Sequence, residues 1–268
     1  MLRIGDPFIN GLTRRVRPLL NTFSLTFFDL QPQRFLIEIP VETQPRLLGD
    51  RTIPPRLRRL RQCRHSFGLH QVHFHGNNLL VTVTKRAAEV DEWVNEILHN
   101  YCHVLHNLVV GLDIEWHPCS EGEHNPAATL QLCVGERCLI FLLLHKDFIP
   151  RSLLAFLAHP RFTFVGVGVQ DDADKLLRDH GLAVSNVADL RRLAEMVYGS
   201  EEYRRMGLKK MAWQILGRVM EKPREVTLSN WDSKNLTFPQ IEYGCIDAFV
   251  SFELGFNLFA MAYTHHIQ

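Results

Sequence analysis

Two apolar runs stand almost back to back in the chain. Residues 128–134 read Ala-Thr-Leu-Gln-Leu-Cys-Val and residues 138–144 read Cys-Leu-Ile-Phe-Leu-Leu-Leu, with Gly135-Glu136-Arg137 between them. So short a gap, opened by glycine, reverses the chain and makes the two runs antiparallel neighbours. Neither run alternates strictly between apolar and polar residues. The sheet they belong to is expected to be covered by helices.

The flanking sequence supplies the layers. Residues 69–84 read as a β-hairpin turning at His75-Gly76-Asn77-Asn78. Thr84 is placed to cap a helix from 85 to about 99, with Val90, Trp93, Val94, Ile97 and Leu98 at helical spacing. Leu108 to Trp116 is a strand. Pro150 opens a helix at 151–158, Phe162–Val169 is a strand, and Gln170–His180 is a helix stopped by Gly181. Val187–Leu190 is a short strand running into a helix through Tyr198. Leu208–Leu216 is a helix, and Pro239 opens a last long helix to about 262. This order specifies an α/β fold, a mixed sheet flanked by helices. No stretch approaches the roughly 18–20 uninterrupted apolar residues of a membrane span, and no secretory signal peptide is evident. Cys133 and Cys138 lie in the two apolar runs and are expected to be buried free thiols in a reducing compartment.

Charge is distributed unevenly. Residues 1–64 hold twelve Arg, no Lys and five acidic residues, a formal +7, against +1 for all 268 residues, which leaves −6 for residues 65–268. Seven of the thirteen Pro also fall in the first 64. A Pro- and Arg-rich segment of this kind buries little and is expected to be disordered. A basic arm for nucleic acid and an organelle transit peptide are the alternatives. The domain division is therefore 1–64 as an extension and 65–268 as the folded domain, with 65–107 an added hairpin and helix and 108–262 the core.

Carboxylates stand where strands and helices end. In Gly111-Leu112-Asp113-Ile114-Glu115-Trp116, Asp113 and Glu115 share one face of the strand, while Val110, Leu112 and Ile114 take the other. Burying unpaired carboxylates is costly, and coordination of a hard divalent cation is a common remedy. Taken alone, the pair is better explained by a strand that has simply reached solvent. Asp171, Asp172 and Asp174 open the helix after 165–169, where the helix dipole suits acidic residues. On the last helix Tyr243 and Asp247 are four residues apart and share a face. His73 and His75 could both reach one metal, but with no third ligand at suitable spacing a solvated hairpin face is the better reading. Trp116 and Trp231 could each stack a base or pack.

The order Asp-x-Glu, Asp, Tyr-x₃-Asp over residues 108–262 resembles the DEDDy branch of the DnaQ-like 3′–5′ exonucleases, which have a ribonuclease H-like fold. The Werner-syndrome-exonuclease-like proteins are the members it looks closest to. Connecting sequence supports the likeness: Leu130-Gln131-Leu132, Lys175-Leu176-Leu177, Gly207-Leu208 and Ser229-Asn230-Trp231. The resemblance implies that Asp113, Glu115, Asp172 and Asp247 bind two divalent cations, Mg²⁺ or Mn²⁺. Asp172 is chosen over Asp171 and Asp174 because the family acid stands three residues before the lysine, here Lys175. In the family pattern Asp113 bridges both ions, Glu115 helps hold the nucleophile-side ion and Asp172 serves the other. Asp247 completes the first site, and Tyr243 orients the attacking water. The family usually has Ala where this chain has Gly244, which should loosen the last helix by about 1 kcal/mol.

The same resemblance implies a hydrolase that releases nucleoside 5′-monophosphates from the 3′ end of nucleic acid. Residues 69–107 extend it to the plant group containing the RISC-interacting clearing exoribonucleases. That likeness implies single-stranded RNA as substrate, a homo-oligomer and an RNA-silencing-complex partner, and the lack of a span-length apolar stretch adds the expectation of no membrane association. It leaves cytoplasm or nucleus as the compartment, with organelle targeting by residues 1–64 still open. An exonuclease of DNA ends is one alternative, and a non-catalytic nucleic-acid-binding or assembly subunit is another. A structural protein that binds metal only for stability is a third.

Overall fold

The computed structural model describes residues 68–118 and 124–267. The Arg-rich extension expected at 1–64 lies outside the described residues. A hairpin of β1 (Gly68–Phe74) and β2 (Asn77–Thr84) comes first, followed by α1 (Ala87–Asn100). Next come β3 (Val109–Glu115), β4 (Thr129–Val134), β5 (Arg137–Leu142) and α2 (Arg151–Leu157). Strands and helices then alternate through β6 (Thr163–Gly166), α3 (Val169–His180), β7 (Val187–Asp189) and α4 (Leu190–Tyr198). The chain continues through α5 (Leu208–Leu216), α6 (Arg224–Thr227) and α7 (Phe238–Ile267).

Among the described residues the strands form one sheet in the order β1-β2-β5-β4-β3-β6-β7. β3, β4 and β5 make the antiparallel centre, and β6 and β7 add to it in parallel. The N-terminal hairpin extends the same sheet, because β2 runs parallel to β5 from Leu80↔Arg137 to Thr84↔Phe141. One face carries Val110, Leu112, Ile114, Leu130, Leu132, Leu139 and Phe141, packed against Trp93, Ile97, Phe156 and Leu176 of α1, α2 and α3. The other face packs on α4, α5 and α7 through residues that include Ala194, Met211, Phe249 and Leu254. Each fully buried aliphatic or aromatic side chain stabilises the fold by about 1.5–3 kcal/mol relative to exposure.

Three local expectations are corrected. Thr84 does not cap α1. It ends β2 with its hydroxyl accepting from the Arg86 N–H (2.9 Å), and Arg86 is the flanking residue of a helix that starts two residues later than expected. The turn between β4 and β5 is Gly135-Glu136, with Arg137 already in the strand. This register sets Cys133 directly opposite Cys138 (Cα–Cα 4.2 Å), and the two form a disulfide rather than remaining free. The last helix runs on to Ile267.

Length and composition alone would let residues Phe238–Thr264 of α7 cross a membrane, yet over half of that stretch is buried inside the protein. The helix lies across β3, β4, β5 and β6. It can do so because β3 carries Gly111 at the crossing. A Cβ at Gly111 would collide with the Ala248 carbonyl oxygen and stand 2.7 Å from the Phe252 backbone nitrogen.

Candidate active site

The sheet opens where it needs to. β3 pairs with β6 only from Val109↔Thr163 to Gly111↔Val165, because β6 ends at Gly166 and the chain turns into α3. On its other side β3 stays paired with β4 as far as Glu115↔Thr129. The last residues of β3 are therefore held rigidly by one neighbour and free of the other. Alternation along the strand sends Leu112 and Ile114 into the core, and Asp113 and Glu115 to the face under α7.

α7 supplies the matching groups. Tyr243 and Asp247, one turn apart, are both buried on the side facing the sheet. Ligand oxygens of Asp113, Glu115 and Asp247 all lie within 4.8 Å of one another. Asp172 stands in the first turn of α3, outside that triad but close enough to act on Asp113 and Glu115. Asp171 is exposed, and Asp174 accepts from the Gln170 amide (2.9 Å). All five residues expected from the sequence thus face one region.

The electrostatics follow from crowding like charges under a helix. Burial, then Glu115, Asp247 and Asp172, hold the Asp113 carboxyl well above the usual carboxylate range. Burial, with Asp247 and Asp172, pushes Glu115 up to about 8. Burial, with Asp171 and Asp189, pushes Asp172 up to about 7. Burial raises Asp247 too, although Lys222 and a hydrogen bond from Tyr243 pull it back. Burial and the surrounding carboxylates keep the Tyr243 hydroxyl protonated.

A group that sequence reasoning missed sits among them. The Lys222 ammonium donates to Asp247 Oδ2 and to the Tyr243 hydroxyl (3.3 Å), and lies 5.1 Å from the Tyr243 ring centroid. Burial works against its charge. Asp247, Asp113 and Glu115 outweigh that and hold its pKa above the usual lysine value. Lys222 belongs to the irregular segment between α5 and α6, where no periodicity marks a functional residue.

The donor set fits a hard divalent cation. It is made of carboxylate oxygens, which Mg²⁺ and Mn²⁺ prefer. The Asp113 Oδ2 atom is buried with no hydrogen-bond partner, a costly condition that an ion would relieve.

The surroundings fix the framework. Gln131 lies opposite Asp113 in the β3–β4 register and is fully buried, its amide donating to Thr129 Oγ1 (2.8 Å). A Cβ at Gly244 would stand 3.2–3.5 Å from that amide, so the glycine leaves room for it against α7. Lys175, which marks Asp172 in the sequence, points away from the carboxylates. Its ammonium donates to the Asn125 carbonyl (2.5 Å), pairs with Asp179 (3.0 Å) and lies 5.1 Å from the Trp116 ring centroid. Asp179 also accepts from the Ala127 N–H (2.8 Å) and contacts His124 Nε2 (2.8 Å), so this network ties the chain before β4 to α3. The two candidate stacking residues part company: Trp231 is 1% exposed and packs in the core, whereas Trp116 is 38% exposed beside Glu115. His73 and His75 do not share a ligand. His73 Nδ1 contacts Asn78 Oδ1 (2.6 Å), and His75 Nε2 donates to the Val219 carbonyl (2.7 Å).

Comparison with known proteins shows the family. A family model described as 3′-5′ exonuclease matches residues 81–260. A 3′-5′ exonuclease of Arabidopsis thaliana is 32% identical over 148 residues, covering 54% of this chain and 50% of the relative. The Mus musculus exonuclease 3′-5′ domain-containing protein 2 is 35% identical over 192 residues, covering 69% of this chain and 28% of the relative. The chain thus spans half or less of the length of these relatives. Among solved structures, Escherichia coli RNase D superposes with a TM-score of 0.57 at 16% identity, over 69% of this chain and 45% of that one, a likeness of fold. With a ribonuclease H-like sheet, a carboxylate cluster at its open end and the family match over most of the described residues, the chain belongs to the 3′-5′ exonuclease family.

Proposed function

We propose that this protein hydrolyses the 3′-terminal phosphodiester of single-stranded nucleic acid, RNA in preference to DNA, and releases nucleoside 5′-monophosphates. The observation that carries the proposal is the convergence of Asp113, Glu115 and Asp247, with Asp172 beside them and one Asp113 oxygen left unpartnered. These four carboxylates would hold two divalent ions, Mg²⁺ or Mn²⁺. Such ions supply an activated water and charge stabilisation in phosphodiester hydrolysis.

The chain's own groups prepare the reaction. The Tyr243 hydroxyl keeps its proton, so it can donate to an oxygen in the site and orient a water. Asp247, hydrogen-bonded to Tyr243, holds that hydroxyl in place. Gly111 lets α7 bring both residues down onto Asp113 and Glu115. Trp116 offers an exposed ring next to Glu115 on which a terminal base can stack. Residues 65–268 carry a formal −6, which suits capture of a few terminal nucleotides better than a grip on a long duplex. The likeness to the plant clearing exoribonucleases extends the proposal to a homo-oligomer with a silencing-complex partner, acting in the cytoplasm or nucleus.

The test uses the full chain with 5′-labelled RNA and DNA strands and Mg²⁺, Mn²⁺ or EDTA. A ladder shortening from the 3′ end is expected, faster on RNA, and lost with EDTA and in Asp113→Ala. A faster DNA ladder would reverse the substrate preference. No shortening of either strand would refute the catalytic reading and leave a binding or assembly role.

A further inference from the structure

The segment that carries Lys222 is pinned on several sides. Arg218 pairs with Glu253 of α7, the Val219 carbonyl accepts from His75 of the N-terminal hairpin, and Met220 is buried in the core. Glu221 approaches Lys209 of α5 (3.6 Å), and Pro223 then opens α6. These anchors fix the Lys222 backbone beside α7, so the ammonium at the end of its stem meets Asp247 and Tyr243 by construction. It stands where several carboxylates converge and where a divalent cation would need the same Asp247 oxygens.

We infer that Lys222 is a built-in counter-cation of the carboxylate site, which a divalent ion must displace from Asp247 in order to bind. The inference rests on the metal-dependent reading of the site given above. Lys222 is a positioning residue in this role: in the metal-free protein it holds Asp247 and Tyr243 together. Two cations that need one carboxylate compete, so each weakens the other's binding by the same factor. The ammonium is a compact charge on a flexible stem and can withdraw without moving the pinned backbone. Its side chain is only partly buried, so a path out to solvent exists.

The experiment titrates the metal-free full chain with Mn²⁺ alone and reads unbound Mn²⁺ by electron paramagnetic resonance. Lys222→Met and Lys222→Gln remove the charge and keep most of the stem. Each is expected to bind Mn²⁺ with a midpoint lower than wild type by a factor of about 5 or more. Metal-free Tm should fall in both variants, because the carboxylates lose their counter-charge, and Mn²⁺ should restore it. Lys222→Arg keeps the charge and should titrate within about twofold of wild type. A variant damaged only in its structure would bind Mn²⁺ more weakly, the opposite direction. An unchanged or raised midpoint in Met and Gln overturns the inference, and so does an Arg variant that shifts as far as Met. If wild type and variants alike take up no Mn²⁺, the metal-dependent reading falls with it. If all take it up equally, only the role of Lys222 falls.

Discussion

Gly111 of β3 lies directly beneath Ala248 of α7, so close that no side chain fits between strand and helix. The groups that matter flank this contact on each element: Asp113 follows Gly111 by two positions, and Asp247 immediately precedes Ala248. The spacing of two carboxylates from distant parts of the chain is thus set by a backbone contact. Gly111→Ala must lift or tilt α7. It is expected to destabilise the protein by about 1–3 kcal/mol, the usual effect of overpacking, and to reduce nucleotide release more than the stability loss explains. Urea unfolding and a 3′-end release assay on the same preparation check both.

The raised carboxyls make the metal-free protein sensitive to pH. In the unfolded chain Glu115 and Asp172 ionise near 4.5 and 3.8, and in the folded chain only near about 8 and about 7. Between those limits the folded state binds more protons than the unfolded state, so stability falls as pH rises. Metal-free Tm should therefore decline from about pH 5 to pH 8 and level off above. Glu115→Gln should flatten part of that slope. Thermal melts in EDTA across this range, wild type against variant, decide the matter. A slope unchanged by the substitution would show that Glu115 is not its source.

Asp179 is a buried anion with several donors, and its partner Lys175 is itself largely buried. Asp179→Ala leaves the Lys175 charge without its counter-ion and the Ala127 N–H without its acceptor. A loss of about 3–5 kcal/mol is expected. Limited proteolysis should show faster cutting before β4, while Asp113, Glu115 and Asp247 remain in place.

Two tryptophans separate packing from function. Trp231→Ala empties a core position and should cost about 3–5 kcal/mol. Trp116→Ala removes a partly exposed ring (38% exposed) and should lower the Tm far less than Trp231→Ala does. It should instead raise KM for single strands with little effect on kcat. Melting curves and steady-state kinetics on both variants read the difference. An unchanged KM would remove Trp116 from the substrate path.

Much of this was legible in the sequence because it is local. The alternation that puts Asp113 and Glu115 on one strand face, and the one-turn spacing of Tyr243 and Asp247, are properties of short segments. The helices that cover the sheet follow from the alternation of helical and strand segments after β5. What escaped depends on distant parts meeting. The parallel pairing of β2 with β5 joins segments separated by α1, β3 and β4, and no local pattern encodes it. Lys222 acquires its neighbours only when the segment after α5 is tied to α7 and to the first hairpin. The Cys133–Cys138 bridge depended on the turn having two residues rather than three, a register difference that decides which side chains face each other. Gly244 looked like a weakness in the last helix, yet in the fold it clears space for the buried Gln131 amide.

Because α7 contributes both the cover of the central strands and Asp247 of the carboxylate cluster, and because it follows every described strand, synthesis imposes an order on assembly. A nascent chain can emerge with β3, β4 and β5 complete while Asp113 and Glu115 still lack Asp247 and Tyr243. Until α7 leaves the ribosome and docks over Gly111, the carboxylate centre is not assembled.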